Sequence, residues 1–278
     1  MSVRLVTRSV WNNPGNRGKR VGKMVTAFWW QLQKRTIRAP RNLQLPNGVN
    51  FRAYPDCVVS SGLIYADYPE YYELSFLRRQ LRPGQVLIDV GANVGHISLL
   101  LADVIGPPQI FAFEPTPISF ARLVENWKLN NWETDNLFQN AIGSKACEVD
   151  IPNVVSPITT NSPLLKSESG RSVQVAMVTL DSKRALWRDR TIGLLKIDVE
   201  GYELEAFRGA RDLLERDRPR FVMFESLGGT LDPEIGAILD YSGYKVFQLS
   251  ATGQPDFTQT YAQNLFAVRT DEQAALAG

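Results

Sequence analysis

Residues 86–95 read Val-Leu-Ile-Asp-Val-Gly-Ala-Asn-Val-Gly, an apolar run ending in a glycine turn. An apolar-patterned segment, His96 to Val104, follows, and then a second apolar run, Gln109 to Phe113, that stops at Glu114. Strand, glycine turn, helix, strand and terminal acid leave few folds open. Two parallel strands need a crossover, usually a helix, and this spacing supplies one. The turn aims backbone N–H groups at whatever lies above it. Gly91 and Gly95 permit backbone angles and close approaches that a Cβ would block. Glu114 stands 19 residues past Gly95, near the ~20-residue offset at which a carboxylate grips ribose hydroxyls. Together they define a nucleotide-sized site at one end of a parallel sheet.

The dinucleotide fingerprint wants G-x-G-x-x-G. This chain offers Asp89-x-Gly91-x-x-x-Gly95, with Asn93 where the second glycine would admit a pyrophosphate. No G-K-[ST] follows, so a P-loop is excluded. An acid at 89 suits a cationic ligand better than a pyrophosphate. Acid, two glycines and a strand-end acid are what an S-adenosylmethionine site needs: the glycines admit the methionine part, Asp89 faces its ammonium side and Glu114 takes the ribose. Two other readings stand beside this one. The turn can belong to any α/β protein, or to an NAD(P)-dependent oxidoreductase, although the chain presents no Tyr/Lys or Cys/His pair at the expected crevice.

The 278 residues suit one large α/β domain with an appendage. Strands are expected near 86–90, 109–114, 137–142, 194–198, 220–225, 244–249 and 264–268, with a shorter strand or hairpin over 58–65. Helices are expected near 70–81, 95–104, 117–130, 203–216 and 232–242. This alternation implies a mostly parallel sheet with helices on both faces. The last strand follows its predecessor without a helix-length crossover, which predicts an antiparallel partner. The helical period disappears over 143–181, where Val173 to Val178 reads as a strand. This insert is expected to form a hairpin over the sheet's functional edge, as a lid or substrate wall.

Residues 194–201, Leu-Leu-Lys-Ile-Asp-Val-Glu-Gly, form a second motif. Lys196 sits inside an apolar strand on the same face as Asp198, and Glu200 lies just beyond. Ligands of open α/β sheets bind past the carboxyl ends of strands, so Asp198, Glu200 and Glu225 should meet at one crevice. The bland alternative is a buried Lys196–Asp198 ion pair with Glu200 capping the next helix.

With both motifs in view, the chain resembles the FkbM family of S-adenosylmethionine-dependent methyltransferases. The resemblance rests on Tyr72-Glu73, Pro83-Gly84, Ile88 to Gly95, Phe111 to Pro115, Asn126, Asn140-Ala141, Thr179 to Asp181, Leu195 to Glu203, Gly209-Ala210 and Glu225. These segments occur in order across about 56–269. Thr116 departs from the pattern, which more often has Asn or Asp after Glu-Pro. The resemblance implies a class I methyltransferase (Rossmann-like) fold with a seven-stranded sheet and an antiparallel last strand. It implies methylation of a hydroxyl on a sugar, glycolipid or polyketide-type small molecule. By position, Asp89, Gly91, Ala92, Asn93 and Gly95 would hold the methionine end, Glu114 with Pro115 the ribose, and Asn140 with Ala141 the adenine edge. Asp198 is the first candidate for general base and Glu200 or Glu225 the second, with Lys196 orienting the acid or polarising the acceptor oxygen. No dedicated metal site is expected, although the same three carboxylates could hold Mg²⁺ against a vicinal diol.

The arm at 1–50 lies outside the resemblance. Residues 1–55 carry eleven Lys/Arg and no Asp/Glu, leaving 20 basic against 29 acidic residues in 56–278. Val21, Met24, Val25, Phe28, Trp29 and Leu32 recur at helical spacing with Lys and Arg around them. Such a helix over 18–38 fits an anionic membrane surface, or it packs its stripe on the body or a second subunit. Its apolar run is too short to span a bilayer and lacks a cleavage site for a signal peptide. The expected location is cytoplasmic, with the inner face of a membrane as the alternative. The acidic body and the lack of a basic-aromatic reader motif argue against specific nucleic-acid binding. Cys57 and Cys147 lack metal spacing and are expected reduced and buried. The single histidine, His96, excludes a His-rich metal site.

Overall fold

The computed structural model describes residues 3–153, 172–258 and 261–276. The chain begins with α1 (Val3–Asn12) and α2 (Arg20–Thr36). A hairpin of β1 (Arg41–Gln44) and β2 (Asn50–Ala53) leads to α3 (Val58–Tyr65) and α4 (Tyr71–Gln80). The alternating part runs β3 (Val86–Val90), α5 (His96–Ile105), β4 (Ile110–Phe113), α6 (Pro117–Lys128) and β5 (Leu137–Phe138). Next come three strands of a separate small sheet, β6 (Ala141–Ile142), β7 (Cys147–Pro152) and β8 (Ser172–Val178). The main sheet resumes with β9 (Ile192–Ile197), α7 (Glu203–Arg208), β10 (Phe221–Glu225), α8 (Pro233–Tyr241) and β11 (Tyr244–Leu249). The chain closes with β12 (Pro255–Asp256), β13 (Asn264–Arg269) and α9 (Gln273–Leu276).

The main sheet has the order β12-β11-β13-β10-β9-β3-β4-β5. From β5 to β10 neighbouring strands are parallel, and β13 runs antiparallel between β10 and β11. The seven expected strands are present with the last one reversed, and β12 adds a two-residue edge. The chain leaves β3 towards β4 and β5, then returns to β9 on the other side. That reversal opens a crevice above the carboxyl ends of β3 and β9, the usual ligand position in such sheets. Strands β3, β4 and β9 are buried at every position, which explains their uninterrupted apolar runs. Phe76 of α4 meets Phe221, Phe247 and Phe266 edge-on over one face, and Phe207 of α7 meets Phe224 over the other.

Several expectations need correcting. Residues 58–65 form α3, not a strand. The segment has no helical period because most of its length is buried, and Cys57 Sγ caps it by accepting from Ser60 N. Asn47-Gly48 makes the tip of the β1–β2 hairpin, with Gly48 at φ +85°. The 137–142 strand is two short strands in two sheets, and the 203–216 helix ends at Arg208 before a second, wider turn over Leu213–Asp217. The insert does contain an antiparallel hairpin, β7 on β8; residues 154–171 of it lie outside the described residues. Cys57 is buried, whereas Cys147 is only half-buried.

The arm packs on α3 and the chain that follows it. Asn16 Nδ2 donates to Val10 O and Tyr65 O, and Trp30 Nε1 donates to Ser61 Oγ at 3.1 Å. Lys23 pairs with Asp67 at 2.5 Å. Val6, Val10, Ala27 and Trp30 thereby join the core. Of the expected stripe only Met24 turns partly inward; Val21, Val25, Phe28, Trp29 and Leu32 face outward. Among the described residues no helix is long and apolar enough to cross a membrane.

Candidate active site

Register brings the first two functional side chains together. Asp89 on β3 is the direct neighbour of Lys196 on β9, and both are buried. Lys196 Nζ lies 3.2 Å from Asp89 and 3.4 Å from Asp198, and it donates to Gly91 O at 3.0 Å. Ser98 Oγ donates to the other Asp89 oxygen at 2.6 Å. Burial disfavours the ammonium, but Asp89 and Asp198 outweigh it and hold the Lys196 pKa above its ordinary value. Unpaired, such a buried charge would cost several kcal/mol.

The turn after β3 fits against the turn after β9. Gly91 has φ +77°, and a Cβ there would stand 1.7 Å from the Asp198 carbonyl oxygen. Asn93 also takes a left-handed conformation, φ +53°. Its amide donates to Glu114 Oε2 at 2.8 Å, while Thr116 N donates to Glu114 Oε1 at 2.9 Å. The contact from position 116 is made by the backbone amide. Burial pushes the Glu114 pKa up against these hydrogen bonds.

Beyond β9 the backbone turns sharply. Glu200 has φ +52° and Gly201 +97°, and Glu203 accepts from Val199 N and Gly201 N, tying the turn down. This local strain sets the Glu200 side chain, partly buried yet open to solvent, beside Asp198. Oxygens of Asp198, Glu200 and Glu225 lie within 4.8 Å of one another. Burial, then the like charges of Glu225 and Asp198, push Glu200 up to about 7. Glu225 is raised as well, by burial and then by Asp198. Such a group can share a proton or hold a cation.

One cavity joins these parts. Gly91, Asn93, Glu114 and Pro115 line it together with Asn140, Ala141, Asp198 and Glu200, and Gly91 stands against the Asp198 carbonyl. Val149 and Ile151 of β7 and Met177 of β8 give it an apolar wall. Among the described residues no Lys or Arg lines it. Asp89, Ala92, Gly95 and Lys196 lie behind the wall. Asp89 was expected to face the ligand's ammonium, but Lys196 and Ser98 occupy its carboxylate. Gly95 faces α6, where a Cβ would stand 2.6 Å from Leu123 and 2.8 Å from Trp127. Lys196 reaches Asp198 and is not among the residues that line the cavity.

Sequence reasoning missed Glu70, Glu203 and the role of the first helix. Glu70 Oε1 lies 3.5 Å from His96 Nε2, and His96 lines the cavity. Beyond Glu70 is a second recess lined by Arg8, Asn12, Tyr72, Glu73 and Gln263. Gln263 donates to Glu225 at 3.2 Å, so the acidic group stands between the two hollows. Tyr72-Glu73 was the available signal, but it carried no role by itself.

Residues 89–248 match the family model for the methyltransferase FkbM domain. The chain is 29% identical over 161 residues to the hexuronic acid methyltransferase AglP of Haloferax volcanii, a match covering 58% of this chain and 63% of that protein. It is 26% identical over 261 residues to the 31-O-demethyl-FK506 methyltransferase FkbM of Streptomyces tacrolimicus, covering 82% and 96%. Among solved structures, the methyltransferase FkbM of Methylobacillus flagellatus superposes with a TM-score of 0.44 at 15% identity, covering 75% of this chain and 53% of that one. The M. jannaschii TYW2 complex with AdoMet gives 0.42 at 13%, covering 82% and 84%.

Proposed function

Because this chain belongs to the methyltransferase FkbM family, we propose that it moves the methyl group of S-adenosylmethionine to a hydroxyl oxygen of a sugar, glycolipid or other small-molecule acceptor. The observation that carries this reading is the cavity itself, one hollow lined by a strand-end acid, a glycine turn and two of the grouped carboxylates, Asp198 and Glu200. Its residues fit the donor. Gly91 leaves space that a Cβ would fill, and each Glu114 oxygen takes one amide and keeps a lone pair for a ribose hydroxyl. Among the described residues the lining holds no Lys or Arg, which suits a cation and not a pyrophosphate. Gly91 and Asn93 would hold the methionine end, Glu114 and Pro115 the ribose, and Asn140 with Ala141 the adenine.

When bound, S-adenosylmethionine supplies an electrophilic methyl group. The chain's own task is to align the acceptor oxygen, which is worth about 7–11 kcal/mol, and to remove its proton, worth about 10²–10⁴-fold. Glu200 is the favoured base. It faces the cavity, and a pKa of about 7 suits proton removal near neutral pH. Asp198, paired with Lys196, stands next to it. Glu200 would take the acceptor's hydroxyl proton onto a carboxylate oxygen. The recess with Tyr72, Glu73, Asn12 and Gln263 supports a hydroxyl-rich acceptor. Two relatives are named for a hexuronic acid and for 31-O-demethyl-FK506.

Calorimetry with S-adenosylhomocysteine against NAD, and transfer of labelled methyl to a panel of sugars and glycolipids, test the reading. Glu114→Ala should weaken S-adenosylhomocysteine binding by about tenfold or more, the effect of one or two lost hydrogen bonds to a charged group. Undiminished affinity would remove Glu114 from the site. The 4.8 Å grouping of Asp198, Glu200 and Glu225 favours a second reading, in which a divalent cation there binds a vicinal diol. Turnover that survives exhaustive chelation would rule it out.

A further inference from the structure

Helix α2 is mounted with its apolar side outward. Its inner side is fixed: Ala27 and Trp30 are fully buried, Trp30 and Lys34 both donate to Ser61 Oγ, and Lys23 pairs with Asp67. The outer side carries Val21, Val25, Phe28, Trp29 and Leu32, with Val21 74%, Phe28 67% and Trp29 59% exposed. An amphipathic helix that packs on its own protein normally buries this side. Here the helix is anchored by its other face, so the exposure does not come from detachment. The apolar strip is contiguous, and such strips on soluble proteins mark contact surfaces.

The surroundings identify the partner. Arg17, Lys19, Arg35 and Arg38 are exposed around the strip, and residues 1–55 contain no acid at all. At the C-terminal end of α2, Lys34 and Arg38 share a recess with Arg122 of α6, which pairs there with Asp56 at 2.9 Å. A second copy of the chain is a poor occupant. A two-fold pairing through α2 would set one cationic rim against another, with no arm carboxylate to neutralise it. An anionic lipid surface meets both requirements: apolar depth for the strip and phosphates for the rim. Phe28 and Trp29, packed edge-to-face at 6.3 Å, are side chains that favour the headgroup level. At 17 residues, the helix would lie in the interface plane.

We propose that the outer face of α2 docks the protein on an anionic membrane. This inference does not depend on the methyl-transfer chemistry. The test is co-sedimentation of full-length protein with vesicles of phosphatidylcholine alone and of phosphatidylcholine mixed with phosphatidylserine. Binding to the mixed vesicles, weakened by salt, is expected. Phe28→Glu with Trp29→Glu should reduce it by about tenfold or more, since each aromatic removed from apolar surroundings costs roughly that much. Arg35→Glu with Arg38→Glu should lower binding to the anionic vesicles selectively. Circular dichroism and the unfolding midpoint show that each variant is folded. Equal pelleting of wild type and both variants would overturn the proposal. So would a wild-type dimer in sedimentation velocity that Phe28→Glu with Trp29→Glu abolishes without changing vesicle binding.

Discussion

Glu200 illustrates what one residue's surroundings can change. Its pKa of about 7 arises from burial, then Glu225, then Asp198. A base works deprotonated, so turnover should fall as pH drops through about 7. Glu225→Gln removes a like charge and should shift that limb to lower pH. Glu200→Gln should remove the limb and cost about 10²–10⁴-fold in turnover, with S-adenosylhomocysteine affinity little changed. A pH–rate profile for the three proteins checks this; a limb that stays in place in Glu225→Gln would break the link. The motif at 194–201 made Asp198, Glu200 and Glu225 legible as a group, because strand ends converge on one crevice. It put Asp198 first as the base, whereas the proposed mechanism puts Glu200 first. The ranking depends on which acid Lys196 pairs with and on a left-handed turn at 200, and neither is visible in spacing. Asp89 was misjudged for a related reason. Its partner, Lys196, lies 107 positions away in sequence and becomes adjacent only through strand register.

At the level of elements, the strands of the sheet were the easiest to read, because burial on both faces leaves long apolar runs and reversal of the last strand follows from its short connection. Segment α3 was harder, since burial over most of its length erases the period that identifies a helix. Helix α2 lies between these cases: its periodicity gave the helix but not its orientation. Two adjacent tryptophans separate the possibilities. Trp30 is fully buried and Trp29 mostly exposed. Trp30→Ala should cost about 3–5 kcal/mol by cavity formation, and Trp29→Ala should stay within about 0.5 kcal/mol, as surface changes do. Urea denaturation measures both. Equal losses would mean that α2 is turned differently.

For the whole molecule, a basic arm on an acidic body was plain from charge counting, and packing explains part of it: Lys19 and Lys23 both meet Asp67. The recess proposed for the acceptor was illegible. It is assembled from α1, the start of α4 and the segment before β13, three pieces that no local pattern links.

The close approach at Gly91 has a mechanical side. The Asp198 carbonyl fills the volume where a methyl would otherwise be, so the tips of β3 and β9 mesh like a tooth in a notch. Sliding of one strand past the other would jam there. The scaffold thereby keeps its acids in fixed alignment.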